Sequence, residues 1–411
     1  MCLQSPGLMS PLGAAGILCL LLAAACGDGA DTGATATTDT VSVASGDTVS
    51  VASGDPETVV SLEGAVVVNG ASNGDELALA WITHDEVMVA RLDPGTGDLA
   101  EERPVNGSVA PIAHPIERPV LAFRDDGTLD VAFTSFAGDG ASVYLSTDGG
   151  EPEPISGPAR PETNLVHMTT GPDGSLWMAW LESSTLSVAF EDGTQVVEFE
   201  DVDDRTCDCC NPVPTFLDND LVVSYRDLDT VDGQIVRNTS VVRSIDGGGT
   251  FEPVVTVADD DWFIDGCPFT GPSAVNIEGT MVLAWMDARQ SSHPDQAASS
   301  IWVDRSTDGG ASFGADLEVV GEGRHRWPSM AIDDAGVIHL VWVTEGPEGG
   351  LFYSWSDDAG RSFASPTLLV DHDLSGGNAP GSPTAVIHDG RLIVSWAAGG
   401  TGFVAVWQVG R

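Results

Sequence analysis

From about residue 59 onward, one arrangement of hydrophobic and polar positions recurs along the chain. An apolar run leads to a turn rich in Gly or Asp, and then to a segment in which apolar and polar residues alternate around an aromatic. This alternation is typical of a β-strand, and no helical periodicity competes with it. The aromatic residues that mark these second strands are Trp81, Phe133, Trp180, Tyr225, Trp285, Trp342 and Trp396. The pattern predicts an all-β protein.

The spacing of the marked strands indicates how they are organised. Successive aromatic residues are 52, 47, 45, 60, 57 and 54 residues apart. A period near 50 with several short strands per unit is typical of a β-propeller, in which each four-stranded blade covers its neighbour's face. We count seven units, and the last is short. Residues 59–69 are therefore expected to supply its closing strand, through Val59, Val60, Ala65, Val66, Val67 and Val68.

The first 25 residues have the features of an export signal. An apolar run covers residues 12–25 and ends in Leu22-Ala23-Ala24-Ala25-Cys26, which resembles a bacterial lipobox. Cleavage before Cys26 and lipidation of its sulfur would tether an exported protein to a membrane, on the periplasmic side or at the cell surface. Lipidation also leaves an even number of thiols, as an oxidising compartment favours. Ordinary small-residue cleavage after Ala25 is the alternative.

Residues 26–58 are predicted to be a flexible linker, followed by a propeller over 59–411. The linker is rich in Gly, Ala, Thr, Ser and Asp and carries the octapeptide D-T-V-S-V-A-S-G twice, at 39–46 and 47–54. Such a composition buries too little apolar surface to hold a fold. The alternating Val-Ser-Val of the repeat leaves a β-hairpin as the alternative.

Charge narrows the range of partners. The chain carries 62 acidic residues against 16 basic ones, for a net charge of −46, and all of its basic residues are arginines. Such a charge repels DNA and RNA, so we expect no nucleic-acid partner. The acidic residues are scattered along the chain, which indicates a solvated surface, and we expect a monomer.

Three octapeptides in the predicted blades share one pattern. They resemble the Asp-box (S-x-D-x-G-x-T-W) of sialidase-like propellers, whose family members have six blades. In each copy, the resemblance implies, the Asp accepts turn hydrogen bonds, the Gly takes a positive φ and the final aromatic packs between blades. The copies are Ser244, Asp246, Gly248, Thr250 and Phe251; Ser306, Asp308, Gly310, Ser312 and Phe313; and Ser356, Asp358, Gly360, Ser362 and Phe363, with a degenerate fourth at Ser146, Asp148 and Gly150.

Strand direction predicts which face carries a ligand. If the strands of each blade are named A to D from the centre outward, loops after B and before A share one face, and the Asp boxes lie opposite. Arginines converging on that mouth would bind a carboxylate or other anion bidentately, whereas the alternative is local pairing with acidic neighbours. The predicted ligand residues are Arg118, Arg226, Asp227, Asp287, Arg289 and Arg326, and Glu182 and Glu345 also follow B strands.

Four cysteines map to the same face. Cys207, Cys209 and Cys210 precede the fourth unit, and Cys267 precedes the fifth. The exported location favours two disulfides, with Cys209–Cys210 as one conceivable bridge. The alternative is a site for a soft metal such as copper or zinc. No other cofactor is predicted.

The resemblance to sialidases does not extend to the residues that perform their catalysis. The family's Tyr nucleophile precedes the A strand of the last blade, where this chain has residues 378–383 without a Tyr, and a further triad arginine is replaced by Glu348-Gly349-Gly350-Leu351. We therefore assign no catalytic residue and predict an envelope protein that binds an anionic small molecule or glycan. The alternatives are a glycan-processing enzyme, either a divergent exo-α-sialidase or another glycoside hydrolase, and a metal- or redox-active propeller built on the cysteines.

Overall fold

The computed structural model describes residues 40–42, 48–137, 140–156, 163–191, 196–258, 262–264, 266–289, 298–371 and 381–409. All of them belong to one compact unit that covers Ala36–Arg411. The predicted signal peptide and Cys26 lie outside the described residues. Within these ranges every regular element is a β-strand, and no helix is long and apolar enough to cross a membrane.

Seven four-stranded antiparallel sheets form the body of the described chain, which confirms the predicted count. Each sheet is one blade, with its strands A to D in sequence order from the inside outward. Blade 1 has β4 (Val67–Ser72), β5 (Leu77–Ile82), β6 (Val87–Leu92) and β7 (Leu99–Pro104); blade 2 has β8 (Val120–Phe123), β9 (Leu129–Ala137), β10 (Gly140–Thr147) and β11 (Glu153–Pro154); blade 3 has β12 (Thr163–Thr170), β13 (Leu176–Glu182), β14 (Thr185–Glu191) and β15 (Val196–Asp203).

The remaining blades repeat this order. Blade 4 has β16 (Val213–Leu217), β17 (Asp220–Arg226), β20 (Thr239–Ser244) and β21 (Val255–Ala258), with a small hairpin, β18 (Asp229–Val231) and β19 (Gln234–Val236), in its B–C loop; blade 5 has β22 (Ser273–Ile277), β23 (Thr280–Asp287), β24 (Ser299–Ser306) and β25 (Leu317–Gly323); blade 6 has β26 (His325–Ile332), β27 (Ile338–Thr344), β28 (Gly350–Ser356) and β29 (Thr367–Asp371); blade 7 has β30 (Gly381–His388), β31 (Arg391–Ala398) and β32 (Thr401–Gln408).

The N-terminal strand β3 (Thr58–Glu63) completes blade 7 as its outermost strand. It pairs antiparallel with β32, so that Val60 lies opposite Val404. The A strands contact one another in the order β4, β8, β12, β16, β22, β26, β30 and back to β4, which closes the ring. A strand from each end of the propeller therefore shares one sheet, as the short last unit predicts. The predicted range of 59–69 is too long, because Val67 and Val68 already belong to β4, the first strand of blade 1.

The predicted aromatic markers all lie on B strands and are buried between blades. Trp180, Trp285 and Trp342 are fully enclosed side chains of the core. The apolar positions form one hydrophobic cluster after another around the ring, each shared by neighbouring blades. The core is thus distributed along the blade interfaces, and burial at about 25 cal/mol per Å² of apolar surface is the main stabilising contribution.

The three complete Asp-box octapeptides form nearly identical C–D turns. In the first, Asp246 accepts hydrogen bonds from the backbone N–H and the hydroxyl of Thr250, both at 2.8 Å, while the Ser244 hydroxyl receives the Gly248 N–H at 2.8 Å. Gly248 has φ +84°, which a side chain would strain. The copies around Asp308 and Asp358 have the same bonds. These turns have a structural role, and they lie on the face opposite the mouth.

The segment before β3 is more ordered than the linker prediction for residues 26–58. β1 (Thr40–Ser42) and β2 (Thr48–Ser50) pair as an antiparallel hairpin, which is the alternative interpretation of the repeated Val-Ser-Val. Val51 and Ala52 are buried in the cluster of blades 6 and 7, and the indole N–H of Trp407 donates to the carbonyl of Gly54 at 3.2 Å. Residues 51–54 of the predicted linker therefore pack onto the propeller.

Candidate functional site

The B–C and D–A loops open onto a cavity of about 810 Å³ at the mouth of the propeller, which we call the mouth pocket. Its walls come from blades on opposite sides of the ring and combine aromatic, aliphatic and charged side chains. They are Val66, His114, Pro115, Ile116, Cys267, Phe269, Arg326, Trp327, Glu345 and Ala397 to Gly400. Concave sites with an apolar wall and a few polar groups are the usual places for small-molecule binding.

Two aromatic residues of the mouth pocket have unusual backbone conformations. Phe269 and Trp327 have φ values of +55° and +53°, which bulky residues rarely adopt. The Trp327 indole N–H donates to the Phe269 carbonyl at 2.7 Å, and this bond joins strand β26 of blade 6 to the loop that precedes blade 5. The Phe269 side chain is nevertheless 45% exposed. Because such strain persists at functional sites, the pair marks this wall of the pocket.

A carboxylate with two arginine partners forms the charged side of the pocket. Glu345 lies 3.1 Å from Arg326 and 3.0 Å from Arg324. Arg326 lies near the start of β26, where the pairing of β26 with β27 is irregular and its register shifts between Arg326 and Ser329. The cluster presents both signs of charge to a bound molecule.

A narrower cavity of about 210 Å³ adjoins the mouth pocket and follows the propeller axis. The channel is lined by all seven A strands or by the loops that precede them. The two cavities are neighbours, because Trp327 lines the mouth pocket and the next residue, Pro328, lines the channel. Arg118 and His167 are the titratable side chains of this channel.

Arg118 differs from most arginines of the protein because it forms no ion pair with a described carboxylate. Its guanidinium donates a long hydrogen bond of 3.4 Å to the Thr384 hydroxyl. Burial lowers the pKa of Arg118 to about 10, and burial together with the Arg118 charge lowers the pKa of His167 to about 4. His167 is therefore neutral at pH 7, and Arg118 supplies a positive charge to the channel.

Arg226 has a different environment from the one predicted. It is buried, donates to the backbone carbonyls of Arg237 at 3.0 Å and Met286 at 2.7 Å, and lies over the Trp262 ring. These bonds join blades 4 and 5. Asp227 is also buried, and burial with the charge of Asp203 raises its pKa to about 7.

Arg289 and Asp287 pair with each other, as the alternative of local pairing predicts. The Arg289 Nε donates to Asp287 at 2.9 Å, the guanidinium also contacts Asp316, and it stacks over Trp302. Asp287 is fully buried and accepts the indole N–H of Trp285 at 2.9 Å. Glu182 does the same for Trp180. Of the six predicted ligand residues, Arg326 lines the mouth pocket and Arg118 the channel, so the structure does not bring the four arginines to one point.

The four cysteines of the D–A loops come together beside the mouth. Cys209 and Cys267 form a disulfide between the loops that precede blades 4 and 5, whereas Cys207 and Cys210 are buried free thiols with sulfurs 3.6 Å apart. The adjacent Cys209–Cys210 bridge is therefore wrong, because Cys209 pairs across to Cys267. The hydrogen bond from the Cys210 thiol, with Arg237 and Arg226 nearby, lowers the pKa of Cys207 to about 6, whereas burial raises that of Cys210.

Sequence reasoning missed the aromatic wall and the channel. His114 and Phe269 lie in loops without a periodic pattern, Trp327 lies near the start of β26, and their proximity depends on ring closure. One signal could have located them: a proline directly precedes three A strands, at Pro119, Pro212 and Pro272, and two more lie within the first four residues of A strands, at Pro328 and Pro383. Proline removes a backbone donor and favours the start of a strand, so it marks where the chain enters from the mouth.

The chain is similar to known proteins in structure and not in sequence. Neither a family model nor a curated protein sequence matches the chain. Its structure is similar to an ulvan lyase of polysaccharide lyase family PL25, with 11% identity, a TM-score of 0.54 and coverage of 87% of this chain and 94% of the lyase. A protein of unknown function from Dyadobacter fermentans shares 13% identity, with a TM-score of 0.50 and coverage of 71% and 94%.

A Hadza microbial sialidase, Hz136, is also among the structural neighbours. It shares 15% identity with a TM-score of 0.43, covering 81% of this chain and 73% of the sialidase. Identities at this level establish the fold alone. The chain is a seven-bladed β-propeller.

Proposed function

We propose that this protein is an exported, lipid-anchored propeller of the cell envelope that binds an acidic glycan in the mouth pocket. The carboxylate of a uronate-type sugar would lie against the arginines, and the sugar rings against Phe269 and Trp327. The lipid anchor at Cys26 rests on the lipobox-like sequence.

The observation that carries the proposal is Arg118, a half-buried cation that lines the channel adjoining the mouth pocket and has no carboxylate partner among the described residues. In a chain with a net charge of −46, acidic partners are abundant, and Arg326, the arginine that lines the mouth pocket, has one. A positive group left available in a cavity is therefore suited to an anion supplied from outside, and guanidinium binds carboxylates in a bidentate manner.

The shape of the mouth also supports a saccharide. About 810 Å³ accommodates a few sugar rings, and an exposed aromatic such as Phe269 offers an apolar face for stacking. The ulvan lyase that shares this fold was solved bound to -[GlcA(1-4)Rha3S]-, an acidic saccharide.

The test is binding of uronate-containing oligosaccharides by isothermal titration calorimetry, with neutral oligosaccharides of equal length as the comparison. Loss of a charge-assisted hydrogen bond costs about 1.5–3 kcal/mol, so Arg118→Gln should weaken binding roughly tenfold to a hundredfold. Arg118→Lys should also lose affinity because an ammonium cannot form the paired contact.

Arg361→Gln is the matched control, because Arg361 is exposed on the Asp-box face and donates to the Asp358 carbonyl. Its affinity should equal that of the wild type. Preference for neutral saccharides, or equal affinity in Arg118→Gln, would refute the proposal. Product analysis of the same mixtures separates binding from turnover, and cleaved saccharide would favour the glycan-processing alternative.

A further inference from the structure

The four cysteine sulfurs of the D–A loops lie closer together than one disulfide requires. Cys207 Sγ is 3.4 Å from Cys209 Sγ and 3.6 Å from Cys210 Sγ, and the sulfurs of Cys209 and Cys210 are 3.9 Å apart. Cys267, bonded to Cys209, is the fourth member. Cys207, Cys209 and Cys210 are each less than 9% exposed.

These separations match the edges of a thiolate tetrahedron. A Zn–S bond of about 2.3 Å places the sulfurs of a four-cysteine site roughly 3.8 Å apart. Three of the measured sulfur pairs, at 3.4, 3.6 and 3.9 Å, fall close to that value without any movement of the loop. The ligand atoms of Cys207, Cys209 and Cys267 also lie within 4.8 Å of one another, together with a carboxylate oxygen of the exposed Asp208.

The surroundings balance the charge of such a site. Arg226 and Arg237 both lie beside Cys207, and the Nε atoms of these two arginines are buried without a hydrogen-bond partner among the described residues. Four thiolates around Zn²⁺ carry a net charge of about −2, which the two guanidinium groups offset. A buried cluster of charges is tolerated when it is paired in this way.

We propose that the reduced form of the protein binds one Zn²⁺ ion through Cys207, Cys209, Cys210 and Cys267. A dithiol reductant first converts the Cys209–Cys267 disulfide to two thiols and is itself oxidised to a disulfide. The four thiols then release their protons on binding the ion. The metal replaces the covalent bridge between the loops that precede blades 4 and 5, so the same tie beside the mouth pocket has a disulfide state and a zinc state.

The test uses the purified full chain, reduced with dithiothreitol, freed of reductant under anaerobic conditions and titrated with Zn²⁺. We expect one zinc per chain by elemental analysis, protection of the four thiols from alkylation, and a tetrahedral thiolate spectrum when Co²⁺ replaces zinc. The unreduced protein should retain less than a tenth of an equivalent. An unreduced protein that binds zinc equally well, or a reduced protein that binds none, would overturn the proposal.

Variants separate the ligand set from its surroundings. Cys207→Ser and Cys210→Ser should each weaken zinc binding at least a hundredfold, and Arg237→Gln about tenfold, as for groups that support metal ligands. Asp208→Asn tests the neighbouring carboxylate as a rival to Cys210 and should bind as the wild type does, and Asp204→Asn, at an exposed position of the same loop, is the matched control. Loss of binding in Asp208→Asn but not in Cys210→Ser, or binding of Cu⁺ with exclusion of Zn²⁺, would contradict the four-sulfur zinc site. Glycan binding is measured separately, so either proposal can fail alone.

Discussion

Glu117 lies next to Arg118 where the chain enters blade 2, and its environment makes a sharp prediction about pH. The side chain is 8% exposed, and its carboxyl accepts the backbone N–H of Leu165 at 3.1 Å. Burial raises its pKa from 4.5 to about 7, and the hydrogen bond from Leu165 opposes this only in part. The folded protein therefore holds a proton on Glu117 that the unfolded chain releases above pH 4.5.

The sign and size of the effect follow from linkage. A carboxyl whose pKa is raised on folding adds most to the free energy of unfolding at low pH. This stabilisation is lost as the pH rises from about 4.5 to 7. Each tenfold change in proton affinity corresponds to about 1.4 kcal/mol, so the whole loss is roughly 3 kcal/mol. Glu117→Gln keeps an acceptor for the Leu165 N–H and removes the titration. Relative to the wild type, the variant should gain about 2–3 kcal/mol in free energy of unfolding between pH 5 and pH 8.

The assay is urea unfolding of both proteins at pH 5, 6, 7 and 8, analysed as the difference between variant and wild type. Contributions of other titrating groups cancel in that difference. Glu63→Gln is the control, because Glu63 is exposed at the end of β3 and its carboxylate meets water in both states. A difference for Glu117→Gln that is the same at every pH would refute the reasoning.

Three further predictions concern stability and thiol chemistry. Asp308→Ala removes the acceptor of the Ser312 turn bonds and should lower the free energy of unfolding by about 1–2 kcal/mol, with an unchanged denaturation midpoint as the contrary result. Leu62→Ala should lower it by about 2–5 kcal/mol and speed hydrogen exchange in β32, because Leu62 is buried on the closing strand; unaltered exchange would contradict that closure. Alkylation of unreduced, denatured protein should label Cys207 and Cys210 but not the two bridged cysteines; protection of all four would contradict this.

How well the sequence predicts a contact of the site depends on how far apart the two partners are along the chain. Asp246 and Thr250 form their turn within one octapeptide, so the Asp-box geometry follows from local sequence. The Arg289–Asp287 pair is also local, and the alternative of neighbouring partners describes it correctly. Arg226 donates to Met286 across a blade boundary, a partner 60 residues away that no local pattern indicates.

The sequence alone determined the strands, their grouping into seven blades and the closing strand, because alternation, turn residues and a period near 50 are properties of consecutive residues. Tertiary structure decided the rest. The Cys209–Cys267 bridge, the strained Phe269–Trp327 wall and the position of Arg118 in the channel all depend on which elements meet when β3 joins β32 and the ring closes. Contacts across blades are set by that closure, so side chains far apart along the chain become neighbours only in the folded propeller.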